Sequence, residues 1–267
     1  MQKKVQAVIF DWAGTVIDYG SFAPIYAFLH AFEEEGVEIT LEEAREPMGM
    51  LKRDHIKEIL KKERVSSAWL EKFNRAPDQE DINLLYHSFE KSLLGNLHKF
   101  TDPVPGLMET VDKLRERNIK IGSTTGYTRK MMDVAEEHAK HKGYTPDFLV
   151  CADEVKRGRP FPYMVFQNMI QLEVFPPAQV VKVGDTTSDI KEGKNAGVWS
   201  IGVIKGSSEL GLTEEEVKKL NMQEYKKLAN KVTKKFKSAG ADYVIDSIVD
   251  LPPVLDEIEE MYDGQVL

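Results

Sequence analysis

Short apolar runs recur along this chain and predict the strands of a sheet. They occupy residues 5–10, 119–122, 148–151, 180–183, 200–204 and 243–245. The first run is apolar at nearly every position, which is typical of a strand covered on both faces in a parallel sheet. From residue 104 onward the runs alternate with helical patterns at 107–117, 129–142, 163–172 and 189–196. This alternation predicts an α/β fold with a doubly wound, Rossmann-like parallel sheet.

The stretch between the first two strands is predicted to be wholly helical. Amphipathic patterns occupy residues 22–35, 51–63 and 81–94, and Thr40 with Glu43 has the spacing of a capping box. A segment of roughly eighty residues is large enough to form a small domain. We therefore expect a helical cap domain at residues 21–100, inserted into a core domain made of residues 1–20 and 101–267.

Composition narrows the class of protein. The chain has 267 residues, of which 42% are hydrophobic and 30% charged, as in ordinary soluble globular proteins. Its net charge of -8 argues against nucleic acid or an anionic membrane as a partner. Cys151 is the only cysteine, so an internal disulfide and a thiolate zinc cluster are excluded. No apolar leader precedes the first strand and no apolar run is long enough to span a bilayer, so we expect a cytoplasmic protein.

The first strand ends in a carboxylate, Asp11, followed by Trp12-Ala13-Gly14-Thr15. Open α/β sheets bind ligands at the carboxyl ends of their strands, so Asp11 is a candidate functional residue. Gly14 allows the backbone to turn tightly and to approach a ligand, and Thr15 adds a hydroxyl group. By itself Asp11 is weak evidence, because aspartate is common in turns.

Polar segments follow three later strands. The hydroxyl residues 123–125 suit a phosphate group, although the same residues could cap a helix. The basic loop 156–160 contains Arg159 directly before a proline, and could instead be a solvated charge cluster. Asp185 ends the strand at 180–183 and Asp189 lies near a helix start, where it could be only a cap. Two carboxylates opposite Asp11 would form the oxygen-rich site that Mg²⁺ prefers.

These four segments, in this order, resemble the four motifs of the haloacid dehalogenase superfamily over nearly the whole chain. Its phosphotransferases usually have Asp-x-Asp-x-Thr in the first motif, and here Ala13 replaces the second aspartate. The resemblance implies that Asp11 attacks phosphorus to form an aspartyl-phosphate. It further implies Mg²⁺ held by Asp11, the carbonyl of Ala13 and Asp185, with Asp189 behind them. Phosphate would be bound by Thr125 and Arg159.

The inserted segment carries a second resemblance. Met48-Gly49-Met50-Leu51-Lys52 follows a proline at a helix start, and with His55 it resembles the cap motif of the phosphonoacetaldehyde hydrolase family. Those enzymes cleave a carbon–phosphorus bond after a cap lysine has formed a Schiff base with the substrate aldehyde. The resemblance implies that role for Lys52 and a pocket that contains Met48, His55 and Tyr127.

Each of these residues also has an ordinary interpretation. Lys52 could be a solvated helix residue, Met48 a packing residue, and His55 and Tyr127 polar surface residues. The family pattern is matched again at residues 122–128, 158–160 and 206–212. The last of these segments has no role that the sequence explains.

Ala13 and Lys52 are chemically consistent with each other. The second aspartate of the superfamily motif normally protonates a leaving oxygen, which alanine cannot do. If Lys52 first forms an imine, the carbon leaves as an enamine and no oxygen needs that proton. Because Lys52 must be neutral to attack, we expect burial or nearby cations to lower its pKa.

The expected function is therefore hydrolysis of phosphonoacetaldehyde to acetaldehyde and phosphate, with Mg²⁺ as cofactor and a small phosphonate as partner. The resemblance also suggests a homodimer, for which the apolar helix at 22–32 of the cap could supply the interface. One alternative is a magnesium-dependent phosphatase or phosphomutase of the same superfamily that acts on a small phosphate ester. Another is a catalytically silent binding or regulatory protein built on this fold.

Overall fold

Six parallel strands form one sheet at the centre of the structure, a computed structural model that describes residues 4–263. Their bounds are β1 Ala7–Phe10, β2 Lys120–Thr125, β3 Phe148–Cys151, β4 Val180–Gly184, β5 Trp199–Val203 and β6 Tyr243–Ile245. The strand order is β3-β2-β1-β4-β5-β6, and every neighbouring pair is parallel. The connections reverse direction beside β1, so the carboxyl ends of β1 and its two neighbours border the ligand-binding crevice of such sheets.

Five helices follow β1 before the chain returns to the core near Pro103. They are α1 Phe22–Glu34, α2 Leu41–Arg45, α3 Lys52–Leu60, α4 Glu63–Phe73 and α5 Gln79–Asn96. The rings of Phe28 on α1 and Phe89 on α5 stack with their centroids 4.2 Å apart. The predicted capping box of Thr40 and Glu43 opens α2. The pattern at 51–63 predicted a single helix. In the structure α3 ends at Leu60, and a further helix that was not predicted, α4, begins at Glu63.

Helices cover both faces of the sheet. The remaining helices are α6 Leu107–Glu116, α7 Arg129–His141, α8 Tyr163–Gln171, α9 Thr187–Ala196, α10 Glu214–Lys219, α11 Met222–Ser238 and α12 Leu251–Asp263. Alternate residues of β1 enter separate clusters: Val8 and Phe10 pack with α6 and α12, whereas Ala7 and Ile9 pack with α8. Because both faces of β1 are buried, its apolar run is continuous. The predicted α/β fold with a doubly wound sheet and an inserted helical cap is confirmed.

The chain leaves the core and returns to it at one place. Ile17 forms a β-bridge with Pro103, and the amide of Val104 donates to the carbonyl of Val16 at 2.9 Å. The segment that leads into α1–α5 and the segment that leads out of them therefore lie side by side. The domain boundaries at residues 21–100 stay a prediction. Among residues 4–263, no helix combines the length and apolar character needed to cross a membrane.

Candidate active site

Asp11 lies immediately after β1, and its position is fixed by the sheet. Its amide donates to the carbonyl of Val183 in β4 at 2.8 Å. The chain then turns at Gly14, which has a φ of +86° and where a Cβ would come within 2.3 Å of Asp185 Oδ2. Only glycine fits this turn, because a side chain would displace Asp185. The carboxylates of Asp11 and Asp185 are thus buried together at the carboxyl edge of the sheet.

Three carboxylates form the acidic cluster of the site. Asp11, Asp185 and Asp189 offer oxygens that lie within 4.8 Å of one another. Asp189 already contacts Lys182 at 2.8 Å and is held by the capping box of Thr186. Burial raises the pKa of Asp185 well above its usual range, and repulsion from Asp11 and Asp189 adds to this effect. Burial and Asp189 also raise the pKa of Asp11.

The donor chemistry of this cluster fits a hard divalent cation. Asp11 and Asp185 present oxygen ligands in a buried place where their mutual repulsion is unfavourable, and a bound cation would relieve it. Asp189 lies behind them, because its Oδ1 contacts Arg159 and Lys182 and its Oδ2 accepts from Thr186. The acidic cluster is therefore a candidate metal site with Asp11 and Asp185 as its ligands.

Arg159 pairs with three acidic side chains of the site. Its guanidinium lies 2.7 Å from Asp11 Oδ1, 3.0 Å from Asp189 Oδ1 and 2.9 Å from Glu192 Oε2. It also donates to the carbonyl of Thr124 at 2.9 Å. The planar fork of arginine suits several acceptors at once, so Arg159 orients Asp11 as well as compensating its charge.

Two buried members of this network, Lys182 and Glu192, were not predicted from the sequence. Lys182 lies in β4, 1% exposed, and Glu192 lies one turn beyond Asp189 on α9, 0% exposed. A lysine inside an otherwise apolar strand was a usable signal, because a buried ammonium group needs an acidic partner. Glu192 gave a weaker signal, since an acidic helix residue is ordinarily solvated.

Lys52 reaches the same cavity from the cap. It is the first residue of α3 and is 3% exposed, with its Nζ 5.1 Å from the ring centre of Tyr127 and 5.9 Å from that of Phe28. Burial lowers the pKa of Lys52 to about 8, and Arg159 contributes in the same direction while Asp11 opposes it. The sequence-based expectation of a lowered lysine pKa agrees with this environment.

One cavity brings core and cap residues together. Eight of the ten residues predicted for the site line it: Asp11, Ala13, Met48, Lys52, Thr125, Tyr127, Arg159 and Asp185. Five further residues that line the cavity were not predicted from the sequence: Ser21, Pro24, Gly49, Gly126 and Thr186. Gly49 illustrates why, since a Cβ there would lie 2.5 Å from Thr186 Oγ1, a contact between cap and core that local sequence does not reveal.

His55 lies behind the cavity rather than in its wall. It is fully buried one turn after Lys52, with its ring centre 4.0 Å from that of Phe28. Its Nε2 lies 2.8 Å from the carbonyl of Ala44, so we assign the proton to Nε2. Burial lowers the pKa of His55 well below its usual range, with Lys52 adding to the effect, so the ring is neutral. His55 thus connects α3 to α2. It was predicted to be a pocket residue, but it does not line the cavity.

Comparison with known proteins supports a family assignment. A family model for haloacid dehalogenase-like hydrolases matches residues 8–203. A phosphonoacetaldehyde hydrolase of Bacillus cytotoxicus is 49% identical over 257 residues, which cover 96% of this chain and 97% of the relative. A crystal structure of a phosphonoacetaldehyde hydrolase-like protein from Oleispira antarctica is 41% identical with a TM-score of 0.95, covering 98% of this chain and 95% of that one.

One relative, whose name describes it as bifunctional, is much longer than this chain. The chain is 51% identical over 257 residues to a phosphonoacetaldehyde hydrolase/aminoethylphosphonate transaminase of Clostridioides difficile, and it covers 96% of this chain but 40% of that relative. Sheet order, acidic cluster and family match define the class of protein. The chain belongs to the haloacid dehalogenase-like hydrolases and, within them, to the phosphonoacetaldehyde hydrolase family. It is a hydrolase enzyme.

Proposed function

We propose that this enzyme hydrolyses the carbon–phosphorus bond of phosphonoacetaldehyde to give acetaldehyde and phosphate. The observation that carries the proposal is the pairing of a buried lysine and a buried carboxylate across one cavity. Lys52 and Asp11 both line it, and Ala13 stands where an acid would be needed for an oxygen leaving group. Relatives named phosphonoacetaldehyde hydrolase, which this chain matches over 97% of their length, support the same proposal.

Imine formation on Lys52 is the first chemical step of the proposed reaction. With a pKa of about 8, a substantial fraction of Lys52 is neutral near physiological pH and can attack the aldehyde carbon. A C–N bond forms and the carbonyl oxygen leaves as water. The resulting protonated imine withdraws electrons from the adjacent carbon, which carries the phosphonate group.

Asp11 then accepts the phosphoryl group. Its carboxylate oxygen attacks phosphorus, the C–P bond breaks, and the bonding electrons move into the iminium group to give an enamine. The enamine takes up a proton on carbon, and hydrolysis of the resulting imine releases acetaldehyde and restores the Lys52 amine. Water hydrolyses the aspartyl-phosphate to phosphate and Asp11. We propose the amine released from the imine as the base that activates this water.

The charged residues of the core support phosphoryl transfer. Arg159 holds Oδ1 of Asp11, and we propose that it also compensates the phosphonate charge together with the hydroxyl of Thr125. Mg²⁺ is the proposed cofactor, held by Asp11, the carbonyl of Ala13 and Asp185, with Asp189 behind them. When bound, it neutralises charge between the attacking carboxylate and the phosphonate.

We further propose a homodimer formed through α1 of the cap. Tyr26 on α1 is 50% exposed, and it stacks with Phe22 at 5.7 Å and contacts Phe100 at 6.1 Å between ring centres. Phe22 and Phe100 are partly buried, and an exposed aromatic residue supported in this way is typical of protein interfaces. Light scattering of the wild type and of Tyr26→Glu tests this proposal, with a dimer expected for the wild type and a monomer for the variant. A wild-type monomer would contradict it.

Borohydride reduction in the presence of phosphonoacetaldehyde tests the proposed reaction. We expect turnover by the untreated enzyme, and after reduction a covalent two-carbon or phosphonate-bearing adduct at Lys52 by peptide mass spectrometry. Lys52→Arg should lose both, whereas Lys57→Arg should keep both, because Lys57 is an exposed lysine on the same helix.

The same experiment separates the alternatives. Turnover without an adduct would exclude the imine route, and turnover of small phosphate esters instead would indicate a phosphatase or phosphomutase. No turnover of either substrate would indicate a binding or regulatory protein.

A further inference from the structure

The segment 206–212, which the sequence left unexplained, contacts both the candidate metal site and the cap. The amide of Ser208 donates to Asp185 Oδ2 at 2.7 Å. The carbonyl of the same residue accepts from Nη1 of Arg45, the last residue of α2, at 3.3 Å. Ser208 is 3% exposed, so these contacts are made away from water. One core residue therefore lies between a metal-binding carboxylate and a cap arginine.

Arg45 also contacts the segment through which the chain enters the cap. Its Nη1 donates to the carbonyl of Gly20 at 2.7 Å, while the amide of Gly20 donates to the carbonyl of Gly206 at 2.7 Å. The guanidinium packs over the ring of Phe22 at 4.6 Å. A Cβ at Gly211 would lie 3.1 Å from Arg45 Nε, so the core segment fits closely against this side chain. Nη1 thus joins two loops that belong to different parts of the chain.

A hydrogen bond within the cap connects Arg45 to the helix of the reactive lysine. Nε2 of His55 on α3 donates to the carbonyl of Ala44, the residue before Arg45 on α2. Because His55 lies one turn after Lys52, any shift of α2 relative to the core would displace Lys52 as well. The contacts form a continuous path from Asp185 through Ser208, Arg45 and α2 to α3.

We propose that Arg45 is a positioning residue that docks the cap on the core and so sets the approach of Lys52 to Asp11. The proposal rests on the proposed function for its catalytic consequence. Arg45 does not line the cavity, and it acts through the two carbonyl oxygens that its Nη1 holds. We define Arg45, Gly20 and Ser208 as the cap-docking bridge.

The two stages of the reaction should respond differently to loss of the bridge. Imine formation requires only Lys52 and the aldehyde, which meet on the cap side. Phosphoryl transfer requires Lys52 and Asp11 in one fixed geometry, across the boundary that Arg45 holds together. Small misplacements of reacting groups are costly in the step that joins them. A docking defect should therefore slow phosphate release more than imine formation.

Arg45→Met tests this difference, with Mg²⁺ and phosphonoacetaldehyde present. We expect the rate of borohydride trapping at Lys52 to stay within about twofold of the wild type, while single-turnover phosphate release falls roughly 10- to 100-fold, the size expected for loss of a charged hydrogen bond. Arg45→Lys, which keeps a charged donor, should recover part of the loss. Arg64→Met is the matched control, because Arg64 is exposed on α4 and bonds Glu43 on the same helix α2.

Amide hydrogen exchange gives a second measurement that does not depend on turnover. In the protein without substrate, Arg45→Met should speed exchange in residues 206–212, and Arg64→Met should not. The proposal is overturned if Arg45→Met releases phosphate at the wild-type rate or leaves the exchange of this segment unchanged. It is also overturned if trapping and release fall equally with a lower melting temperature, since that result indicates general destabilisation.

The proposed function and the docking role fail in distinguishable ways. If the wild type traps no adduct at Lys52, the proposed reaction is wrong, and the catalytic consequence of Arg45 is wrong with it. Amide hydrogen exchange in residues 206–212, which does not depend on the reaction, then tests whether Arg45 holds the cap on the core.

Discussion

The guanidinium Nη2 of Arg159 lies 2.7 Å from Oδ1 of Asp11, and both side chains are nearly inaccessible to water. This contact leaves Oδ2 of Asp11, which is 3.5 Å from the hydroxyl of Thr15, as the oxygen that Arg159 does not hold. Since the same guanidinium contacts Asp189 and Glu192, it is the common partner of three buried carboxylates. Orientation of Asp11 and stability of the core therefore depend on one residue.

Removal of Arg159 should destabilise the fold as well as the site. Arg159→Met leaves Asp11 without its direct cation partner, and leaves Asp189 and Glu192 with Lys182 alone. We expect a loss of about 3–5 kcal/mol in the free energy of unfolding, measured by urea denaturation without Mg²⁺. Arg157→Met is the control, because Arg157 is exposed and packs over the ring of Phe161. Equal stability of the two variants would show that the buried network contributes nothing.

The pH dependence of activity should report the amine of Lys52. In the proposed reaction only the neutral amine attacks the aldehyde, so kcat/KM should rise with pH through an apparent pKa of about 8. Burial also raises the pKa of Asp18 to about 7, which makes Asp18→Asn the necessary control. The limb near 8 should persist in that variant. A Lys52 titration near ~10.4 would contradict the expectation.

Burial of Lys52 should also cost stability at neutral pH. Its pKa falls from 10.5 to about 8 on folding, so the unfolded chain binds more protons between these values and stability rises with pH across this window. Lys52→Met should remove a penalty of about 3 kcal/mol below pH 8, and the gain should vanish above pH 10.5. Urea denaturation at several pH values measures it, with the exposed Lys57→Met as control. A pH-independent difference would contradict this linkage.

Mg²⁺ should reverse the effect of changing Asp185. Without the ion, Asp185→Asn removes repulsion within the acidic cluster and should raise the melting temperature. With Mg²⁺ in excess, the wild type should gain about 2.7 kcal/mol at 100 times the dissociation constant, and the variant should gain little. Asp189→Asn should instead destabilise the protein in both conditions, because Asp189 pairs with Lys182 and Arg159. Thermal scans with EDTA or MgCl₂ test both outcomes.

Restoring the superfamily acid at position 13 should impair the enzyme. Ala13→Asp adds a carboxylate beside Asp11 and Asp185, which raises the pKa of Asp11 further and disfavours its nucleophilic form. We expect kcat/KM to fall at least about tenfold, with a smaller loss in the neutral isostere Ala13→Asn. Similar rates for the two variants would show that charge at this position is unimportant.

The strands of the core and the acidic residues at their ends could be predicted, because the signals for both lie in short stretches of sequence. Continuous apolar runs predicted β1, β3, β4 and β6 to within a few residues, since strands buried on both faces have no polar alternation. The carboxylates Asp11 and Asp185 end such strands, and parallel strands bring their carboxyl ends to one edge. Fold class and acidic cluster could therefore be predicted without any tertiary contact.

Lys52 was identified by a motif, but its burial and its lowered pKa depend on Phe28, Tyr127 and the core, which are distant in sequence. The same is true of Lys182 and Glu192, whose charges are explained only by the partners that folding brings to them.

The sequence by itself determined the sheet, the helical insert and the candidate site residues, because hydrophobic periodicity and strand-end motifs are properties of short segments. Only the tertiary structure decided that His55 lies behind the cavity and that Arg45 holds the cap through Gly20 and Ser208. These contacts use backbone carbonyls, which every residue possesses. Residue type therefore does not indicate which carbonyl will accept a hydrogen bond, and the donor can be identified only from the folded structure.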